Sequence, residues 1–203
     1  MCAFFFILEK EDAEAAISME LQKKKKSLIF LAGFMGSGKS TVGPILANTL
    51  GYQFLDIDKF IEGAAQKSIP EIFRIDGEAA FRNLERTALC SLSSRSESVV
   101  ALGGGTIANE ENLQFIKKTG ILVYLKISPE QAMLRVQHHR TDRPMLKDEA
   151  GKPLTAEKLK QRIIQLLEQR EKFYLRSDIV VDTDNLRIGM SVDEIVKKVK
   201  AFL

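Results

Sequence analysis

The sequence predicts one α/β domain built on a parallel sheet with helices on both faces. Three observations lead there. Short apolar runs alternate with helix-period segments over one domain-length of chain. The runs are continuously apolar, as strands covered on both faces are. Three of them end in glycine or aspartate, at Gly33, Asp56 and Gly103. Ligands on such sheets bind beyond the carboxyl ends of the strands, so these ends are the places to search.

The elements follow in order. Residues 1–26 carry a short apolar stretch, an acidic helix-prone segment and the run Lys23, Lys24, Lys25, Lys26. They read as a flexible N-terminal extension, with a docking or targeting tail as the alternative. The compact domain is expected over 27–203. Residues 27–32 (SLIFLA) form a buried strand, followed by a glycine-rich turn and a helix over 39–50 that stops at Gly51. Residues 52–55 form a short strand ending at Asp56. Helical patterns cover 59–66, 70–75 and 78–92. A strand over 98–102 runs into Gly103, Gly104 and Gly105. A helix over 109–118, a strand over 121–127 and a helix over 129–136 come next, the last capped by Ser128. Residues 137–153 show no period, and a long irregular loop of this kind suits a mobile lid. A helix over 155–175, a strand over 178–181 and a helix over 191–202 complete the chain.

Composition narrows the function. The chain has 203 residues, 45% hydrophobic and 28% charged, which is ordinary for a globular protein with a proper core. That argues against a disordered, collagenous or membrane protein. The net charge is +3, and the lysine run accounts for more than that, so no basic surface for nucleic acid is expected. Cys2 and Cys90 are the two cysteines. They exclude a disulfide framework and point to a reducing compartment. Cys90, within a helix, reads as buried and inert. The apolar stretch 3–8 is too short for a signal peptide or a membrane span. Acidic Glu9, Glu11, Asp12, Glu14 and Glu20 argue against an organelle transit peptide. A cytoplasmic monomer without a membrane partner is expected.

Residues 33–40, GFMGSGKS, match G-x-x-x-x-G-K-[ST], with a strand before and a helix after. The glycines let backbone N–H groups of Gly36, Ser37, Gly38, Lys39, Ser40 and Thr41 close on phosphate oxygens. The helix N-terminus adds its positive end. Lys39 would reach the β- and γ-phosphates, and the Ser40 hydroxyl would ligate Mg²⁺. This predicts a P-loop NTPase. No guanine-reading Asn-Lys-x-Asp segment is evident, and the size and lid favour a small-molecule kinase.

Other segments suit an acceptor. Asp56 and Asp58 lie two apart, so in an extended strand end both carboxylates share a face. One could serve a metal, and the other could orient or deprotonate a hydroxyl. The bland alternative is a turn and a helix cap. Arg82 can meet Glu78 and Glu85 on one helix face, either as a surface ion pair or as a held guanidinium for an anionic substrate. Gly103, Gly104 and Gly105 let a ligand approach the backbone, where a plain turn would need one glycine. Arg143, in the irregular loop, could neutralise charge on a transferring phosphoryl group or be a solvated loop residue. Arg170 near a helix C-terminus is by itself a weak signal. His138 and His139 read as solvated loop residues rather than metal ligands.

Together these segments resemble shikimate kinase, over residues 27–203. The resemblance rests on GFMGSGKS, the pair Asp56 and Asp58, GEAAFRNLE (77–85), ALGGG (101–105), RTDRPML (140–146) and REKFY (170–174). It implies a nucleoside-monophosphate-kinase-like fold around a central five-stranded parallel sheet. It also implies Mg²⁺- and ATP-dependent phosphorylation of the 3-hydroxyl of shikimate, in aromatic amino acid biosynthesis. Asp58 would bind ring hydroxyls and orient or deprotonate the attacking one, and Asp56 would act near Mg²⁺ through water. Arg82 and Arg170 would grip the shikimate carboxylate, with Glu85 orienting Arg82. Gly103 to Gly105 would contact substrate, Gly104 chiefly, and Arg143 would be the lid arginine on the phosphates. The family's adenine-packing arginine has no single counterpart, since Arg135 is displaced by one residue and Arg140 sits elsewhere. Rival readings are a gluconate-type polyol kinase, a non-catalytic nucleotide-binding regulator and a nucleic-acid-binding module. The first would not need Arg82, Arg170 and the glycines together. The second would be marked by loss of Lys39, Asp58 or the lid arginine. The third predicts a basic stripe with interleaved aromatics.

Overall fold

Five short strands pair in parallel, in the order β2-β3-β1-β4-β5. They are β1 (Leu28–Ala32), β2 (Gln53–Asp56), β3 (Ser98–Ala101), β4 (Ile121–Lys126) and β5 (Ile179–Asp182). This computed structural model describes residues 27–92, 94–138, 146, 152 and 154–203. The expected lid over 137–153 therefore lies mostly outside the described residues, with Arg140 and Arg143, and so does the segment 1–26.

The helices are α1 (Lys39–Leu50), α2 (Ile57–Ala65), α3 (Ile69–Ile75), α4 (Gly77–Leu92), α5 (Glu110–Thr119), α6 (Pro129–His138), α7 (Ala156–Tyr174) and α8 (Ile188–Val199). α1 stops where the sequence says, because Gly51 takes the left-handed conformation and returns its N–H to Ala47 and Asn48. α3 opens on a capping box between Ser68 and Glu71. α8 starts three residues earlier than expected, because the Ser191 N–H donates to the Arg187 carbonyl at 3.0 Å and closes a first turn that begins at Ile188.

Alternation along β1 divides the core. Leu28, Phe30 and Ala32 face one side, with Ile57, Ile61, Phe81, Leu89, Leu113 and Tyr174. Ile29 and Leu31 face the other, with Leu46 of α1 and Ile195 and Val199 of α8. Every β1 residue is buried, which is why the run reads as continuously apolar. A third cluster joins Phe34 to Ala132 of α6, Ile163 and Leu166 of α7, and Leu146. It anchors α6 and α7 beside the carboxyl edge of the sheet. The chain winds to one side of β1 through β2 and β3, then crosses to β4 and β5. Loops after β1 and β3 thus diverge over a crevice at that edge.

Two expectations change. Cys90 is exposed rather than buried, because it falls between Leu89 and Leu92 on the outer side of α4. Asp58 is not on a strand end. α2 begins at Ile57, so Asp58 sits in its first turn and Asp56 is the cap.

Candidate active site

The turn after β1 wraps through three glycines with positive φ, at Gly33, Gly36 and Gly38. No side chain fits at Gly33, where a β-carbon would stand 2.6 Å from both the Leu125 carbonyl and Ser37 Oγ. The Ser37 hydroxyl is buried against this glycine. The Ser37 side chain is thus closed to a phosphate, and the Ser37 N–H donates to the Phe34 carbonyl at 3.1 Å across the turn. Lys39 Nζ donates to the carbonyls of Gly33 at 2.7 Å and Phe34 at 3.1 Å, which bends the lysine back across the loop it follows. Ser40 and Thr41 are exposed at the start of α1.

Asp56 ends β2 and its Oδ1 accepts from the N–H groups of Asp58 at 3.0 Å and Lys59 at 3.4 Å. That cap turns the chain sharply into α2 and aims Asp58 back over the sheet edge. Burial there pushes the Asp58 carboxyl up to about 6, and neighbouring Asp56, Glu85 and Glu62 push the same way against the pull of Lys39. A carboxylate so tuned can take a proton near neutral pH.

The glycine triplet after β3 is where the other groups converge. A β-carbon on Gly103 would stand 2.9 Å from Asp58 Oδ1. One on Gly104 would stand 3.4 Å from Arg170, and one on Gly105 3.2 Å from Arg82. Each glycine thus gives room to one candidate substrate-binding side chain. Arg82 NH1 donates to Glu85 and NH2 to Glu78, both at 3.0 Å, so the ion pairs foreseen on one helix face are present. Burial disfavours the Arg82 charge, yet the two carboxylates outweigh it and raise its proton affinity. Glu85 is only 1% exposed and Glu78 lies at the rim. The sequence alone could not make that distinction.

Arg170 is 8% exposed, despite its place near the end of α7. It donates to the Gly104 carbonyl at 3.2 Å and lies over the Phe34 ring. The Tyr174 hydroxyl donates to the same carbonyl at 2.5 Å, while its ring stacks on Tyr124. Burial pushes the Tyr174 phenol up to about 12, so it stays a donor. Glu78, Arg82, Glu85, Gly105 and Arg170 line a cavity of about 370 Å³, joined by Asn83, Arg86, Ala108, Asn109 and Asn112. Sequence reasoning missed the last five, as it missed Thr106, whose hydroxyl meets Glu85 from 21 residues away. No local pattern announces that contact.

On the nucleotide side, Arg135 donates to the carbonyls of Gly36 at 3.1 Å and Thr183 at 2.8 Å. It ties the phosphate loop to the segment after β5.

For a metal, the donor chemistry fits a hard divalent cation held jointly with nucleotide phosphates. The Ser40 hydroxyl is exposed, and Asp56 keeps one carboxylate oxygen outside its capping bonds. Among the described residues no group of three or more His, Cys, Asp or Glu could cage a metal. A site that borrows phosphate oxygens needs none.

The model of the shikimate kinase family matches residues 35–200. The shikimate kinase of Chlorobaculum parvum is 51% identical over 177 residues, covering 87% of this chain and 94% of its own. The crystal structure of shikimate kinase from Bacteroides thetaiotaomicron superposes with a TM-score of 0.78 at 32% identity, over 85% of this chain and 98% of that one. Shikimate kinase from Acinetobacter baumannii, in complex with shikimate, gives 0.77 at 33% identity, over 89% and 97%.

Proposed function

The chain belongs to the shikimate kinase family, and on that premise we propose how its residues carry the reaction. The enzyme phosphorylates the 3-hydroxyl of shikimate with ATP, giving shikimate 3-phosphate and ADP on the way to the aromatic amino acids. The observation that carries the reading is the convergence of Asp58, Arg82 and Arg170 on the glycine triplet beside the phosphate loop.

Shikimate is a carboxylate-bearing polyol. Arg82 and Arg170 suit its anion, because guanidinium forks match carboxylate geometry. Glu85 and Glu78 fix Arg82, so little freedom is lost when the substrate binds. Asp58 and the Gly104 backbone suit its hydroxyls. Asp58 aligns the 3-hydroxyl with the γ-phosphorus and receives its proton at the carboxylate. Backbone N–H groups of 36–41 and the Lys39 ammonium take the developing charge on the phosphates, once Lys39 leaves the Gly33 and Phe34 carbonyls and the Ser37 and Thr41 N–H groups leave those of Phe34 and Gly38. Arg143 would close on the same charge from the lid. Ser40, and Asp56 through water, would hold the divalent metal, Mg²⁺ in our reading, which supplies charge neutralisation on the phosphate oxygens.

We further propose a monomeric cytoplasmic enzyme, with residues 1–26 as an extension of the kinase domain over 27–203 and neither nucleic acid nor membrane as partner. No described helix is long and apolar enough to cross a membrane.

The test is ADP release by the purified protein with ATP and Mg²⁺. Shikimate should be required, and gluconate or a nucleoside monophosphate should not replace it. Turnover with either substitute and none with shikimate would overturn the assignment.

A further inference from the structure

Glu85 is a buried carboxylate with two oxygens to satisfy. Arg82 donates to Oε2, and that pair was foreseen. Oε1 accepts from the hydroxyl of Thr106 at 2.5 Å. Thr106 is wholly buried, so its side chain reaches no solvent. Its backbone is fixed at both ends. The N–H donates to the Gly103 carbonyl at 3.2 Å, closing the glycine turn. The carbonyl accepts from Asn112 Nδ2 of α5 at 2.9 Å. One residue therefore joins the glycine turn, α4 and α5.

The hydroxyl, the Asp58 carboxylate and the Glu85 carboxylate also gather around one point beside Gly103. The β-carbon position of Gly103 is 2.9 Å from Asp58 Oδ1, 3.0 Å from Thr106 Oγ1 and 3.3 Å from Glu85 Oε1. Without a donor at that point, Glu85 Oε1 would be buried, unpaired and close to Asp58. Its cheapest escape is rotation, and rotation carries Oε2 away from Arg82.

We propose that Thr106 is a positioning residue. Its hydroxyl fixes the Glu85 carboxylate, and through it sets the Arg82 guanidinium in the cavity for the substrate carboxylate. The claim rests on the shikimate kinase reading and goes beyond it. It predicts that anion affinity depends on a side chain that touches no substrate.

The test compares Thr106→Val, which keeps the shape and removes the hydroxyl, with Thr106→Ser, which keeps the hydroxyl. Thr106→Val should raise the KM for shikimate on the order of 10-fold, as loss of a hydrogen bond to a charged group does. The KM for ATP should not move, and kcat should change less than the shikimate KM. Thr106→Ser should restore the wild-type KM. Three results would overturn the proposal: an unchanged shikimate KM in Thr106→Val, equal damage in both variants, or ATP and shikimate KM rising together. Wild-type protein that does not turn over shikimate would instead overturn the functional reading. Thr106 would then be judged by the crystal structure of Thr106→Val. Arg82 displaced from Glu85 supports the positioning role, and an unmoved pair refutes it.

Discussion

Asp58 Oδ1 lies 2.9 Å from the point where a side chain on Gly103 would begin. The missing β-carbon is what lets the carboxylate reach over the end of β3. Gly103→Ala should push Asp58 aside, since its carboxylate can rotate and the backbone beneath cannot. We expect kcat to fall at least about 10-fold with the fold retained, because a misplaced reacting group costs rate steeply. An alanine variant with wild-type kcat would show that the close approach is not needed.

The Asp58 carboxyl, pushed up to about 6 by burial and by Asp56, should appear in the pH profile. kcat/KM should fall as pH drops through about 6, where Asp58 gains its proton. Asp58→Asn should cut turnover by at least about 10²-fold while ATP binding persists. The sign for stability is opposite. A carboxyl whose folded pKa exceeds its unfolded one favours the fold when protonated and loses that contribution as pH rises through the folded value. Asp58→Asn should therefore be more stable than wild type at pH 8, by on the order of 2 kcal/mol, and the gain should shrink by pH 4. Thermal melts at the two pH values check this.

Arg82 is held by Glu85 and Glu78 at 3.0 Å each. Arg82→Ala should raise the shikimate KM roughly 10- to 100-fold and leave the ATP KM alone. Arg82→Lys should recover little, because one ammonium cannot serve both glutamates and a substrate carboxylate in a fixed plane. Steady-state kinetics with each substrate varied separates the two effects.

Away from the site, Gly43 of α1 lies under the Phe54 ring, where a β-carbon would stand 2.2 Å from a ring carbon. Alanine gains about 1 kcal/mol of helix propensity over glycine. Overpacking costs about 1–3 kcal/mol. At so short a distance the clash wins, and Gly43→Ala should destabilise the protein by about 1–2 kcal/mol in urea unfolding. Adding Phe54→Ala should make the alanine at 43 less costly than it is alone.

Much of the frame was legible because it is written in short-range terms. The SLIFLA run marked a strand covered on both faces, and β1 is buried throughout. Gly51 marked the end of α1, and the three- and four-residue spacings around Arg82 placed its two carboxylates. The errors were local choices settled by neighbours. Asp56 and Asp58 would share a face only if the strand continued, and the Asp56 cap bends the chain first. Cys90 faces outward because α4 buries Leu89 and Leu92 instead.

The sequence by itself determined the alternating α/β architecture, the phosphate loop and the contiguous motifs that carry the family resemblance. Each of these is carried by periodicity or by contiguous residues. The tertiary structure alone decided which charges are buried and what they touch. Glu85 and Glu78 are alike in sequence, yet one is sealed beneath Thr106 and the other lies at the rim. Arg170 looked like an ordinary helix end, and the fold turns it onto Gly104, 66 residues away. Parallel strands force such pairings, because neighbours in the sheet are separated by whole helices along the chain. A side chain's solvation is then set by segments that no local pattern contains.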